Sequence, residues 1–185
     1  CDLGYRLSIQ SDGTLNFDYG LSRIQKYTEL LGLSTKTGIQ INETTPHATD
    51  YNPVASGIGQ GTNAYTSLNL ARYTSTLANN GTVYNSSIIS GIVDGVTREK
   101  TFYEPIIHHT VEINPGIWNA VADGMHEVVE QVYNPITKGI PAKLYAKSGT
   151  AEEDKNRANH ACFILYSKDD NNNPEVVVTA MLPYA

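Results

Sequence analysis

Leu144-Tyr145-Ala146-Lys147-Ser148-Gly149-Thr150, then Ala161-Cys162-Phe163-Ile164-Leu165-Tyr166-Ser167, then Glu175-Val176-Val177-Val178-Thr179-Ala180-Met181-Leu182, are the stretches that decide the architecture. Each has the length of a strand, is rich in β-branched or aromatic residues and is bounded by turn formers. The link from 168 to 174, Lys-Asp-Asp-Asn-Asn-Asn-Pro, is a dense turn signal, so the second and third stretches are predicted to pair as an antiparallel hairpin. Ala161 to Tyr166 is apolar at every position, which suits a central strand covered on both sides. The Lys147 strand is then expected at an edge of one antiparallel sheet.

Upstream the apolar residues recur every three to four positions. Asn114-Pro115 supplies a cap and a preset first-turn residue. Ile117, Val121, Met125, Val128 and Val132 then mark the apolar face of a helix expected to stop at Pro135. Leu70, Tyr73, Leu77 and Ala78 mark an earlier helix, ended by Asn80-Gly81. Leu21, Ile24, Tyr27 and Leu31 mark the first, with Asp18 as the expected N-cap and Gly32 as the stop. Between it and Tyr65 the sequence reads as loop. Helices first and a small antiparallel sheet last predict an α+β fold.

The 185 residues suffice for one domain with a core, and 40% hydrophobic with 17% charged residues is ordinary globular composition. No apolar run is long enough to span a bilayer. A formal net charge of -6 argues against nucleic acid as a partner, because phosphate binding uses clustered Lys and Arg. Cys1 and Cys162 are too few for a disulfide framework. Cys162 reads as packing, and Cys1, with no signal segment or initiator Met before it, as the start of a fragment. The histidines His47, His108, His109, His126 and His160 lack paired ligands at metal spacing. No metal and no cofactor are expected.

Lys147-Ser148-Gly149-Thr150 is the segment with chemical content. An ammonium and two hydroxyls can hold a carboxylate, and a residue without a side chain lets a substrate backbone lie along the strand. Alone, the triplet is equally a lysine beside a strand-ending turn. Other segments add to it in order: Gly32-Leu33 with Thr37-Gly38-Ile39, Gly57-Ile58-Gly59-Gln60-Gly61, and the stretch from Tyr65 to Gly81. Gly124-Met125 with Val128-Val129, Ala146 to Ala151, and His160-Ala161-Cys162-Phe163 complete six.

Together these resemble the class B penicillin-binding proteins, the monofunctional transpeptidases, over nearly the whole chain. The resemblance implies the C-terminal part of the transpeptidase fold, with residues 1–185 as one partial domain cut at both ends. It implies that Lys147, Ser148 and Thr150 clamp a carboxylate, with Gly149 between them, and that the Thr150 N–H is an oxyanion donor. Cys1-Asp2 resembles the end of the family's Ser-x-Asn motif in a Ser-Cys-Asp form, which would put Asp2 on the cleft. Ser67-Leu68-Asn69 matches that string too but falls inside a predicted helix and is read as coincidence. Gln60 is read as part of a structural turn. No Ser is followed by Lys three residues on, so the family's nucleophile motif Ser-x-x-Lys is expected outside the chain.

The implied activity is peptidoglycan D,D-transpeptidation by serine acyl transfer, with this fragment inactive by itself. The implied partners are peptidoglycan stem peptides, β-lactam antibiotics, the remainder of the chain's own domain and the cell-wall synthesis machinery. The implied location is the extracytoplasmic face of a bacterial membrane. The alternatives are a non-catalytic penicillin-recognising sensor, a hydrolytic β-lactamase, and an interaction module without chemistry.

Overall fold

The computed structural model describes residues 2–152 and 156–184. Helix α1 (Asp2–Leu7) packs on α2 (Phe17–Leu30) and on the single turn α3 (Pro53–Ser56). Asn16, not Asp18, caps α2: its extended backbone leaves the side-chain oxygen free to accept the Tyr19 N–H at 3.0 Å. Asp18 sits in the first turn instead, where its charge still favours the positive end of the helix. Helix α3 lies in the stretch expected to be loop. Four residues are too few for periodicity to register, and it is local chemistry that makes it: Asn52 accepts the N–H groups of Val54 and Ala55, and Pro53 presets the first turn. A side chain at Gly4 would come within 2.1 Å of the Pro53 carbonyl oxygen, so α1 and α3 meet backbone to backbone.

Helix α4 (Ser67–Ala78) opens with a reciprocal cap between Thr66 and Asn69. It closes as expected at Asn80-Gly81, both at positive φ. A Cβ on Gly81 would lie 2.8 Å from the Trp118 ring, so the turn that ends the helix also makes room for the indole. Four short strands follow that the sequence did not announce. β1 (Thr82–Tyr84) pairs with β4 (Ile107–Thr110), and β2 (Gly91–Val93) forms a hairpin with β3 (Lys100–Phe102).

Helix α5 (Pro115–Val128) starts at Asn114-Pro115 as expected, but its buried face is rotated from the predicted one and shares Met125 with it. Trp118 and Met125 are buried and Ala122 packs beside them, while Ile117 and Val121 are exposed. The apolar residues span a wide arc of this helix, from Ile117 and Val121 round to Trp118 and Ala122, so period alone did not fix its rotation; the indole under Gly81 does. The helical path also continues past its expected stop. A π turn (Val129–Tyr133) leads into α6 (Asn134–Thr137), where Pro135 occupies a first-turn position. A wide turn ahead of the proline accommodates its missing N–H and the ring that would crowd the preceding carbonyl.

The three predicted strands are β5 (Lys143–Ala151), β6 (His160–Lys168) and β7 (Pro174–Leu182), antiparallel in the order β5-β6-β7. Asp169 shapes the β6–β7 turn by accepting the N–H groups of Asn171 and Asn173, and Asn172 takes the left-handed conformation. Residues paired across strands share a face. On one face Tyr145 and Tyr166 stack at 4.5 Å and pack with Leu77, Ala78, Val83, Val111, Trp118 and Met125. On the other, Leu144 and Ala146 pack with Val129, Phe163 and Leu165. Strand β6 is therefore covered on both sides, as its sequence requires. Lys168 ends it buried, its ammonium over the rings of Tyr145 and Tyr166, and burial pulls its pKa below the usual lysine value.

Candidate active-site edge

Strand β5 borders the sheet, and its four chemical residues Lys147, Ser148, Gly149 and Thr150 are all exposed. The register pairs Lys147 with Ile164, Ser148 with Phe163, Gly149 with Cys162 and Thr150 with Ala161. Ser148 and Thr150 thus present their hydroxyls on one face, and Lys147 leaves from the other. The Lys147 ammonium folds over the strand onto the Ser148 carbonyl oxygen. That carbonyl marks the side of β5 turned away from β6. Backbone groups alternate along an antiparallel strand, so the N–H of Thr150, two residues on, opens to the same side.

Among the described residues nothing around Gly149 demands a glycine. It is absent from the positive-φ positions, and among the described residues a Cβ there would meet only the Cys162 Cβ at 3.9 Å, an ordinary contact. Gly61 differs: φ is +97° and a Cβ would lie 2.7 Å from the Ser56 hydroxyl oxygen. The missing side chain at 149 keeps the open side of the strand clear, whereas the one at 61 lets a turn close.

That turn, Gly57 to Gly61, links the ends of the candidate site. A Cβ on Gly57 would lie 2.8 Å from the backbone nitrogen of Gly4, and the Gln60 side chain reaches Glu152, just past β5. With the amide oriented to match its neighbours, Nε2 donates to the Glu152 carbonyl at 3.3 Å and Oε1 accepts the Glu152 N–H at 3.2 Å. Sequence reading found the turn but not this reach; a glutamine flanked by glycines was its one visible signal.

Asp2 is not brought to the strand. It is exposed, pairs with Arg6 at 2.7 Å, and no residue of α1 lies within 8 Å of β5 between Cα atoms. Cys1, the other half of the expected motif, lies outside the described residues. Asn69 of the coincidental Ser-Leu-Asn string is fully buried in the α4 cap.

Two of the histidines do scaffold work: His126 Nδ1 bonds the Leu144 carbonyl, and His109 Nε2 the Leu30 carbonyl, each at 2.8 Å. Among the described residues no group of three His, Cys, Asp or Glu is placed to hold a metal ion, and no helix is long and apolar enough to cross a membrane. A cavity of about 640 Å³ lies at the base of the β2–β3 hairpin, lined by residues including Gln40, Asn85, Ile88, Tyr103 and Ile106. It includes no β5 residue, so the candidate site is a strand edge rather than this cavity.

The sequence family described as "Penicillin binding protein transpeptidase domain" matches residues 12–184. The chain belongs to this family. Relatives of the penicillin-binding protein transpeptidase domain include the peptidoglycan D,D-transpeptidase MrdA of Haemophilus influenzae, 27% identical over 202 residues that cover 91% of this chain and 30% of the relative. In fold, the chain is similar to penicillin-binding protein 2B of Streptococcus pneumoniae (TM-score 0.76, 22% identity, 91% of this chain and 28% of that one). It is likewise similar to penicillin-binding protein A of M. tuberculosis, solved as an imipenem acyl-enzyme complex (TM-score 0.73, 17% identity, 95% and 44%). The chain thus spans about three tenths of the length of the curated relatives it matches. The resemblance read from six ordered segments and the α+β fold both hold.

Proposed function

We propose that this chain supplies the substrate-binding strand of a peptidoglycan D,D-transpeptidase, with residues 1–185 forming part of its transpeptidase domain. The observation that carries the reading is the open edge of β5, where Lys147, Ser148 and Thr150 are exposed around a glycine that neither packing nor conformation requires. The transpeptidase relative points the same way and does not favour a sensor without turnover.

In this reading a serine outside residues 1–185 attacks the carbonyl of the penultimate D-alanine of a stem peptide. The Ser–O–C bond forms, the peptide bond breaks, and terminal D-alanine leaves with the serine's proton on its nitrogen. The amine of a neighbouring stem then displaces the serine, forming the cross-link. Lys147 and the hydroxyls of Ser148 and Thr150 hold the substrate carboxylate, and the Thr150 N–H stabilises the developing oxyanion. Gly149 lets the peptide add to the strand. Asp2 belongs to the far wall of the cleft, linked to β5 through the Gly57–Gly61 turn. A β-lactam takes the place of the terminal dipeptide and stays attached. The working partners are then stem peptides, β-lactams, the rest of the domain and the cell-wall synthesis machinery, on the outer face of the cell membrane.

The test is labelling with a fluorescent penicillin followed by mass spectrometry. The full-length protein is expected to gain one adduct, and the chain of residues 1–185 none. A stoichiometric adduct on residues 1–185 alone would overturn the placement of the nucleophile; no adduct on the full-length protein would overturn the enzyme reading.

A further inference from the structure

We infer that Gln60 is a positioning residue for the reacting edge: its amide closes the open side of β5 at Glu152 and thereby fixes where the Thr150 N–H points. The inference rests on the transpeptidase reading above and adds to it a residue that contacts no substrate. Strand alternation is the first support. If Ser148 and Thr150 turn their backbone groups away from β6, so does residue 152, and both backbone groups of Glu152 are taken by the Gln60 amide, at 3.2 and 3.3 Å. A primary amide offers a donor and an acceptor side by side, as a neighbouring strand would. Gln60 therefore stands as a one-residue substitute for the missing partner of β5. Successive outward positions are about 7 Å apart along a strand, so a substrate can pair with Ser148 and Thr150 but not past them.

The rigidity of the holder is the second support. Gln60 donates its own N–H to the Ala55 carbonyl at 3.1 Å, and its carbonyl accepts from Asn63 Nδ2 at 3.2 Å. Asn63 in turn accepts the Thr49 N–H at 2.9 Å and the Tyr65 hydroxyl at 2.9 Å. Gly59 and Gly61 take left-handed conformations on either side, and Gly61 has no room for a Cβ. A turn held at this many points transmits its position to the strand end instead of yielding to it. Without the amide, β5 beyond Thr150 has no partner on its open side from this turn, and an oxyanion donor displaced by even 1 Å loses much of its effect.

The test uses the full-length protein and the variants Gln60→Ala and Gln60→Asn, whose side chain is one methylene too short, with Gln60→Glu as a third that keeps the length and one acceptor. Two readouts are taken: hydrogen exchange at the Glu152 amide, and β-lactam acylation separated into the initial binding constant and the acylation rate constant. Exchange at Glu152 is expected to rise in Ala and Asn, and to stay closer to wild type in Glu, which still accepts that N–H. The acylation rate constant is expected to fall roughly tenfold to a hundredfold in Ala and Asn, with the binding constant, the titratable active fraction and the melting temperature close to wild type. Unchanged exchange at Glu152 would remove the contact, and raised exchange with an unchanged acylation rate constant would remove the positioning role. A loss confined to active fraction and melting temperature would assign Gln60 to folding alone. Failure of the wild-type protein to acylate while exchange responds as expected would sink the transpeptidase reading and leave the contact standing.

Discussion

Strands β5 and β7 flank the same central strand, and each has one side unpaired by this sheet, but β5 exposes Lys147, Ser148 and Thr150 where β7 exposes Val176, Val178, Met181 and Leu182. Polar groups on an open edge are satisfied by water until a ligand replaces it, so the β5 edge is stable as it stands. Apolar groups in water are not: each 100 Å² left uncovered forgoes about 2.5 kcal/mol. The register puts Val178 and Leu182 on the face that carries Leu165 and Ala146, so the β7 residues extend a packed face beyond its cover. Exposure therefore means two things in one sheet. In the proposed function the β5 exposure serves recognition, whereas on β7 it marks a surface that asks for a partner. Helix α5 repeats the second case with Ile117 and Val121.

The sharpest way to break this contrast is to remove the charge from β5. Lys147→Ala in the full-length protein is expected to slow penicillin acylation by about 2–4 kcal/mol of transition-state stabilisation, the size of a lost charge-assisted or oxyanion contact. Thermal melting should not move, because the side chain is exposed and its hydrogen bond runs to the Ser148 carbonyl of its own strand. Unchanged acylation kinetics would reduce the β5 edge to an ordinary solvated strand. A smaller loss is expected from Gly149→Ala, about tenfold in acylation rate, again with melting unaltered since the new methyl meets nothing closer than 3.9 Å. The contrasting glycine gives the opposite pattern: Gly81→Ala, at φ +110° and 2.8 Å from the Trp118 ring, should lower stability by about 1–3 kcal/mol. If Gly149→Ala instead lowered the melting temperature and left acylation alone, the glycine would belong to packing.

What the sequence made legible follows the same division. The three strands and their turn were readable because apolar, β-branched runs of strand length and the Asp-Asp-Asn-Asn-Asn-Pro link are local signals, and the strands came out within a residue of their expected ends. The rotation of α5 was not, since Trp118 is placed by Gly81 and Val111 across the fold rather than by its neighbours in sequence. The short strands β1 to β4 are three or four residues each, too brief for a pattern. In the candidate site, Lys147 to Thr150 could be named from residue types, while the reach of Gln60 to Glu152 joins positions 92 apart and is set by the tertiary fold. Asp2 rested on resemblance alone, and the structure does not bring it to β5.

On the β7 side the expected effect is on association. The chain of residues 1–185 should self-associate through its uncovered apolar surfaces, and Val178→Lys with Leu182→Lys should shift it toward monomer in light scattering while leaving acylation by the full-length protein near wild type. A monodisperse monomer of the unchanged chain would show that the β7 face needs no cover. Slowed acylation in the double variant would join the two edges into one functional unit.

The smallest effect tests whether the hairpin that carries β7 is set by its turn. The Asp169 carboxyl is held below the usual carboxylate range, chiefly by the Asn173 side-chain amide at 3.0 Å, then by the Asn173 N–H at 2.7 Å and that of Asn171 at 2.9 Å. With the folded pKa below the unfolded value of about 3.9, the unfolded chain binds more protons as the solution is acidified. The contribution of Asp169 is therefore full above that value and is lost as pH falls through the lower, folded one. Asp169→Ala should lower the melting temperature at about pH 7, and the gap to wild type should narrow toward about pH 3. The carboxyl is fully exposed, so the change is expected to be the least of those above. The lesion is at the turn, and Lys147 lies on the neighbouring strand four residues beyond Lys143, the partner of Lys168 at the turn, so acylation near neutral pH should be unaffected. A gap that stays constant across the acid range would mean that Asp169 acts through backbone conformation, not through its charge, and the turn would then owe its shape to Asn172 at positive φ.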